Sequence, residues 1–492
     1  MGIIQKQALR STIFLFVGFM IGGLNILVLF PKLTALEING LTRAFLDVGV
    51  VLSTLAGFGS VSMVYKFYPY YNSNLKKNEN DLPFVTILMC LAGFIIICFV
   101  GYFFKDFISR KLGKAPLFAT YFYLVYPITF FMLLFAWLES FAWAFKKSVY
   151  SNFLRETLIR FLTTILILLC WFNIIQTSSF ITLFCCIYII PVIILFYVLR
   201  KTKSFYFTFK FSKVTRRYWK KMFLYSMFIF GASFLQVASR TMDSFVIIGL
   251  KGLEATAIFL LGSYLASLMD LPLRSLISIT TPIISESWKE KNYNNIFDIY
   301  KKSTITLLVA AIFIFGAVML NIDSLIKFLG KSYLEVPFIV LIMGLARTID
   351  LGTGVNGQII ATSINWKFDF FTNVLLTIIA LPLNFILINN FGIIGGAYAT
   401  LIATSVYNLV RYLFIYFKYK WQPYGLPHLK IIFLGLIAFI IAHFITVFDN
   451  LILDVLIRSF IYTLIFIVIL FYSNVSNDIN NIILKYWNKI FK

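Results

Sequence analysis

The chain has 492 residues, 60% of them apolar, with a mean hydropathy of +0.90. Charged residues make up 13%, about half the roughly 25% of an ordinary soluble domain, so too little polar surface exists to solvate a globule of this size and a soluble enzyme is excluded. Lys and Arg number 43 against 20 Asp and Glu, a net charge of +23, which in a polytopic membrane protein reads as loops held in the cytoplasm rather than as nucleic-acid binding.

A membrane-spanning helix needs about 20 mostly apolar residues, and runs of that length occur near 11–31, 44–65, 83–104, 118–138, 154–174, 179–199, 222–249, 254–279, 303–326, 336–363, 369–389, 396–417, 430–448 and 453–473. Backbone groups facing lipid find no hydrogen-bond partner except within a helix, so the expected fold is all-α, with about fourteen transmembrane helices. The first run is too long for a signal-peptide core and lacks a small-x-small cleavage site, so it is expected to remain as a span. With both termini in the cytoplasm, loop Lys and Arg favour the inside about three to one, in keeping with the positive-inside rule. The basic loop from Lys105 to Lys114 runs against that assignment.

Between the sixth and seventh runs, Arg200 to Lys221 carries nine positive charges, no negative ones and interleaved aromatics, among them Phe205, Phe209 and Trp219. Such a stretch suits a cytoplasmic connector lying on anionic headgroups. It divides the chain into an N-terminal six-helix bundle (1–200), the connector (201–221), a C-terminal six-helix bundle (222–420) and two extra helices with a cytoplasmic tail (421–492). The polar break at Ala144–Asn152 has a counterpart near Thr362–Asn373, about 220 residues on, as expected of repeated halves around a central pathway.

Ionisable side chains inside spans are costly and mark a pathway or a partner. Helical spacing brings together Arg43 with Asp47, Arg240 with Asp243, Asp270 with Arg274, and Arg347 with Asp350. Glu139, Arg160 and Arg411 have no evident local partner. Arg240, Asp243, Asp270, Arg274, Arg347, Asp350, Glu139 and Arg160 are the candidates to line a cavity for an anionic headgroup, because arginine keeps its charge and matches phosphate oxygens with a fork of donors. Arg43 and Asp47 read as a structural pair near the outer surface. Gly18, Gly22, Gly23, Gly57, Gly59, Gly352, Gly354 and Gly357 suit close packing or bending, and Pro272 and Pro282 are expected to interrupt the eighth span.

No GxxxxGK[ST] loop occurs in a cytoplasmic segment, so no ATP hydrolysis within the chain is expected. No cofactor is called for. The five cysteines lie in apolar runs and no disulfide is expected, while His428 and His443 lack partners at metal-ligand spacing.

Three short stretches carry a resemblance. Asn390-Phe-Gly-Ile-Ile-Gly-Gly-Ala-Tyr-Ala-Thr is one. Ser239-Arg-Thr-Met-Asp-Ser-Phe, followed by Gly262-Ser-Tyr-Leu-Ala-Ser and Thr281-Pro-Ile-Ile-Ser, is the second, and Gly57-Phe-Gly-Ser is the third. Over roughly residues 1 to 420 the layout resembles the multidrug/oligosaccharidyl-lipid/polysaccharide exporter superfamily, in particular its polysaccharide transporter branch, which includes O-antigen flippases. That resemblance implies two six-helix bundles in a V shape, and alternating access that flips a sugar chain on an isoprenoid pyrophosphate from the cytoplasmic to the periplasmic leaflet of the bacterial inner membrane. The product would feed surface polysaccharide such as lipopolysaccharide. Arg240, Asp243 and Arg274 match the family's cavity positions best. The implied partners are the lipid-linked oligosaccharide, the bilayer, H+ or Na+ as coupling ion, and polysaccharide assembly enzymes. A lipid II flippase or a cation-coupled multidrug exporter of the same superfamily is the alternative. The first span departs from both: it has no carboxylate, as such exporters often do, and no arginine between Ser11 and Phe30, as lipid II flippases usually do. A membrane polysaccharide polymerase or ligase fits less well, because the outer loops are short and lack histidine.

Overall fold

The structure is a computed structural model that describes residues 14, 17–111, 114–145, 147–202, 205–444 and 450–473. The start of the first expected span, residues 112–113 of the loop expected outside, and the tail beyond 473 lie outside the described residues. All regular structure among the described residues is helical. In chain order the main helices are α1 (Val17–Leu33), α2 (Leu36–Ala56), α3 (Ser60–Asn74), α4 (Leu82–Lys111), α5 (Val125–Ala144), α6 (Ile159–Trp171), α7 (Thr177–Cys185), α8 (Ile189–Lys201) and α9 (Lys213–Lys251). They are followed by α10 (Leu253–Ser267), α11 (Asp270–Lys289), α12 (Tyr293–Leu320), α13 (Val336–Gly352), α14 (Asn356–Thr362), α15 (Trp366–Phe391), α16 (Ile394–Tyr419), α17 (Leu426–His443) and α18 (Leu451–Tyr472). The described residues of the fourteen apolar runs lie largely in helices. Among the described residues, ten helices are long and apolar enough to cross a membrane, or eleven with α10 and α11 as one span bent by 53°.

The bends follow local chemistry. Between α2 and α3 the chain turns at Gly57–Gly59, where Phe58 and Gly59 take positive φ of 43° and 72°. A side chain at Gly59 would also run into the Ser226 carbonyl of α9, so glycine is required both by the backbone angle and by the close approach. The α10–α11 bend lies just before Pro272, as the ring predicts, but α11 continues unbroken past Pro282. That residue therefore does not interrupt the span, contrary to expectation.

The chain divides into two compact units, Met1–Ala257 and Ile258–Lys492. In the first, α5 is the most deeply buried span and packs against α2, α3 and α8. Its Phe135, Trp137 and Phe141 join Phe67, Tyr71 and Phe205 in one apolar core, and α9 packs on α2 and α3. Asp81 anchors the start of α9 by accepting from the Ser212 backbone N–H at 2.9 Å and the Thr215 hydroxyl at 2.6 Å. Ser212 caps the same helix by accepting from the Thr215 N–H at 3.2 Å, a normal N-cap contact.

In the second unit α12 packs against α11, α13 and α17, and α16 packs against α13 and α15. The turn at Gly392–Ile393 closes the α15–α16 hairpin. Gly392 ends α15 at φ 67°, and Gly395 lies against the Leu387 carbonyl. Helices α17 and α18 dock on α12 through Ile312, Phe313, Tyr462 and Phe466, with the Phe313 and Tyr462 rings stacked at 5.7 Å.

Candidate functional site

Within each unit, embedded charges gather into clusters. In the first unit, α5 delivers Glu139, which is 4% exposed. Its Oε2 meets Arg155 Nη2 at 2.6 Å. Arg155 comes from a π-helical turn, Phe153–Leu158, that leads into α6. Such turns put an extra residue into the helix and recur at functional sites. The Arg155 guanidinium also lies 5.6 Å from the Phe135 ring centre.

One residue further along the same turn, Glu156 pairs with Arg160 at 2.9 Å. Arg160 reaches α1, 5.5 Å from the Phe19 ring centre. A Cβ at Gly22 would come within 3.0 Å of its side chain. Asn25, in a π-helical turn of α1, donates to the Arg160 carbonyl at 2.9 Å and accepts from Thr164 at 2.7 Å. Glu139 and Arg160, expected without local partners, thus have Arg155 and Glu156. Elsewhere in this unit Arg43 pairs with Asp47 at 2.7 Å, as expected, and Asp47 also bonds Ser244 of α9.

Arg240 and Asp243 lie on α9. The side chain of Arg240 is outside the described residues, and that of Asp243 is half-buried and engaged.

In the second unit the expected Asp270–Arg274 pair does not form. Asp270 turns instead to Arg347 of α13, 3.6 Å away, and Arg347 is also 3.9 Å from Asp350. Arg274 is exposed and has no ion pair among the described residues. The physical reason is that i,i+4 spacing only makes contact available, whereas a second helix offers a charge-assisted contact from the buried side.

From Asp350 a polar chain continues. Asn408 of α16 donates to the carboxylate at 2.8 Å and accepts from Thr353 at 3.0 Å and Asn356 at 3.3 Å. Thr353 and Asn356 flank the break between α13 and α14, where Gly354 takes φ 66° and Val355 N–H donates to Ser303 of α12. Adjacent to it, Arg411 of α16 bonds Asp369 of α15, donates through Nε to Thr372 at 3.1 Å, and lies 4.0 Å from the Tyr407 ring centre. The sequence offered no partner for Arg411.

A third cluster ties down the C-terminal helices. Arg458 and Asp454 of α18 pair at 2.9 Å, both buried, and Ser324 donates to Asp454 at 2.7 Å. His428 of α17 accepts at Nδ1 from the Gly425 N–H, which leaves Nε2–H to donate to Thr304 of α12 at 2.9 Å. Among the described residues no group of three or more His, Cys, Asp or Glu could hold a metal, and the five cysteines are free.

No family model matches the chain, and no curated protein does. Solved structures do. A structure of the lipid II flippase MurJ in an inward closed conformation is 18% identical with a TM-score of 0.74 and covers 94% of this chain and 99% of its own. An inward-facing multidrug resistance MATE family transporter of the MOP superfamily gives 14% identity and a TM-score of 0.61, with 82% and 97% covered. A MATE structure in the bent conformation gives 12% identity and 0.55, with 84% and 95% covered. The fold is thus that of the MurJ and MATE transporters, an all-α membrane architecture of about fourteen helices.

Proposed function

We propose that the chain is a flippase that moves a lipid-linked oligosaccharide, a sugar chain on an isoprenoid pyrophosphate, from the cytoplasmic to the periplasmic leaflet of the bacterial inner membrane by alternating access. It does so as a transporter rather than as an enzyme. The observation that carries the reading is the likeness to a lipid flippase over 94% of the chain, a share too large to leave both α17 and α18 unmatched. The physical task fits the residues. A charged, hydrated headgroup cannot cross hydrocarbon unaided, whereas its isoprenoid tail can stay in lipid while arginines hold the phosphates. Arg274 suits that contact because it is exposed and has no ion pair among the described residues. In this reading Arg240, Asp243, Asp270, Arg347, Asp350, Glu139 and Arg160 shape the pathway, two helical halves joined through the basic stretch 201–221 rock about it, and both termini face the cytoplasm.

Cells depleted of the protein should accumulate undecaprenyl-linked sugar on the cytoplasmic leaflet, and an unchanged leaflet distribution would contradict the reading. A lipid II flippase is the second reading, favoured by the same fold likeness; rescue of a strain lacking its lipid II flippase would move the assignment there. Cation-dependent drug efflux would move it to a multidrug exporter.

A further inference from the structure

The Glu139 cluster has a feature that a purely structural ion pair does not need. The carboxylate of Glu139 is buried, yet only Oε2 is engaged; Oε1 is enclosed with no hydrogen-bond partner among the described residues. A buried ionised oxygen without a donor costs free energy comparable to a lost charge-assisted bond. The cluster around it is unfinished in a second place, since Arg160 Nη1 is likewise enclosed and unpartnered. Four charged or titratable side chains face Glu139 from the elements packed on α5: Arg155 and Glu156 from the π turn, Tyr65 from α3, and Tyr188 at the head of α8; Arg160 of α6 joins them through Glu156. The four ionised groups among Glu139, Arg155, Glu156 and Arg160 sum to zero. A second carboxylate, Glu156, opposes the charge on Glu139, and Arg155 is the one member of the pair with substantial access to solvent, its side chain 44% exposed.

The geometry points to Glu139 as a proton-binding site built into the first unit. Uptake of one proton at the enclosed Oε1 converts the carboxylate to a carboxylic acid, ends its charge pairing with Arg155 and takes the four-charge cluster from neutral to +1. Arg155 keeps its proton and is left with its fork of donors free to accept an anion. No redox partner or other co-reactant is involved. The free arginine emerges from an irregular π turn that packs directly on α1, where Gly18 lies against the Glu156 carbonyl. A change in that pairing is therefore transmitted to α1 through backbone contact. The inference rests on the transport reading only for what the proton drives; the protonation can be observed without any transported lipid.

The test is infrared difference spectroscopy of the purified full-length protein in lipid, between pH values on either side of neutrality and with no substrate present. Wild type should show a carboxylic-acid carbonyl stretch that grows as pH falls, and Glu139→Gln should lose it, because the amide preserves a hydrogen bond to Arg155 but cannot titrate. Should E139Q not fold, Glu139→Asp must shift both the frequency and the pH midpoint of the band. A band that survives unchanged in either variant, or no band in wild type across the physiological pH range, would overturn the proposal. A response to Na+ at fixed pH, in place of one to pH, would overturn it as well. Failure of lipid transport with the band intact would count against the flippase reading alone.

Discussion

The arginines at 411 and 155 both face a carboxylate inside a helical unit, and the two sites are finished differently. Around Arg411 no enclosed atom of the guanidinium lacks a partner among the described residues. Asp369 and Thr372 accept from it, Tyr407 lies against its face, and Gly357 leaves just enough room for it. Around Glu139 and Arg155 one carboxylate oxygen has no donor, and the neighbouring Arg160 has an idle nitrogen. A saturated network rigidifies its surroundings, whereas a partly satisfied one holds free energy that a ligand can release. The Arg411 site therefore uses buried charge to tie α15 to α16, whereas the Glu139 site, on the proposal above, keeps its charge in a form that can still take something up.

Substitutions can break or sharpen this contrast. The largest effect is expected from Arg411→Ala, which strands Asp369 next to α16; breaking a buried pair by removing one partner costs about 3–5 kcal/mol. Thermal unfolding in detergent measures it, and a stability near that of wild type would show the network to be slack. Next comes Gly357→Ala. The new methyl would sit 2.6 Å from Arg411 Nη1, and Asp369, Thr372 and Tyr407 already hold the guanidinium in place, so an overpacking cost of about 1–3 kcal/mol is expected. Arg274→Ala should leave the unfolding temperature unchanged, since that side chain is exposed, while lowering the rate of lipid transport about tenfold, the equivalent of one charged hydrogen bond. Equal stability with equal transport would remove Arg274 from the pathway. The smallest effect belongs to Gly22→Ala. Its methyl meets the Arg160 side chain at 3.0 Å, but that arginine is not held on all sides and can yield. The gain from replacing a helical glycine, up to about 1 kcal/mol, should then leave stability equal or slightly raised. If G22A proved as costly as G357A, the two sites would be equally rigid and the contrast would fail.

The spans were legible because hydrophobic length is a property of consecutive residues: the described parts of the runs lie largely in helices. The breaks at Gly57–Gly59 and Gly354 were legible in kind, since glycine is the residue that tolerates their positive φ. Pair choice was legible only where it is local. Arg43 with Asp47 followed from spacing, and Glu156 with Arg160 would have followed from the same i,i+4 rule had Glu156 been counted with the embedded groups. Glu139 with Arg155, Asp270 with Arg347 and Arg411 with Asp369 depend on which faces of different helices meet. A single chain carries no periodic signal for that. The Asp454–Arg458 pair of α18 follows from i,i+4 spacing too, and it ties down the C-terminal helix pair.

Passage of a polar, sugar-bearing lipid head between leaflets can be followed with purified protein in sealed vesicles holding a fluorescent isoprenoid pyrophosphate-linked oligosaccharide, by measuring how much label a membrane-impermeant quencher can reach. If the chain is such a flippase, the protected fraction falls with time in vesicles containing the wild-type protein and falls more slowly with R274A. A protected fraction that stays the same as in protein-free vesicles would contradict the flippase reading.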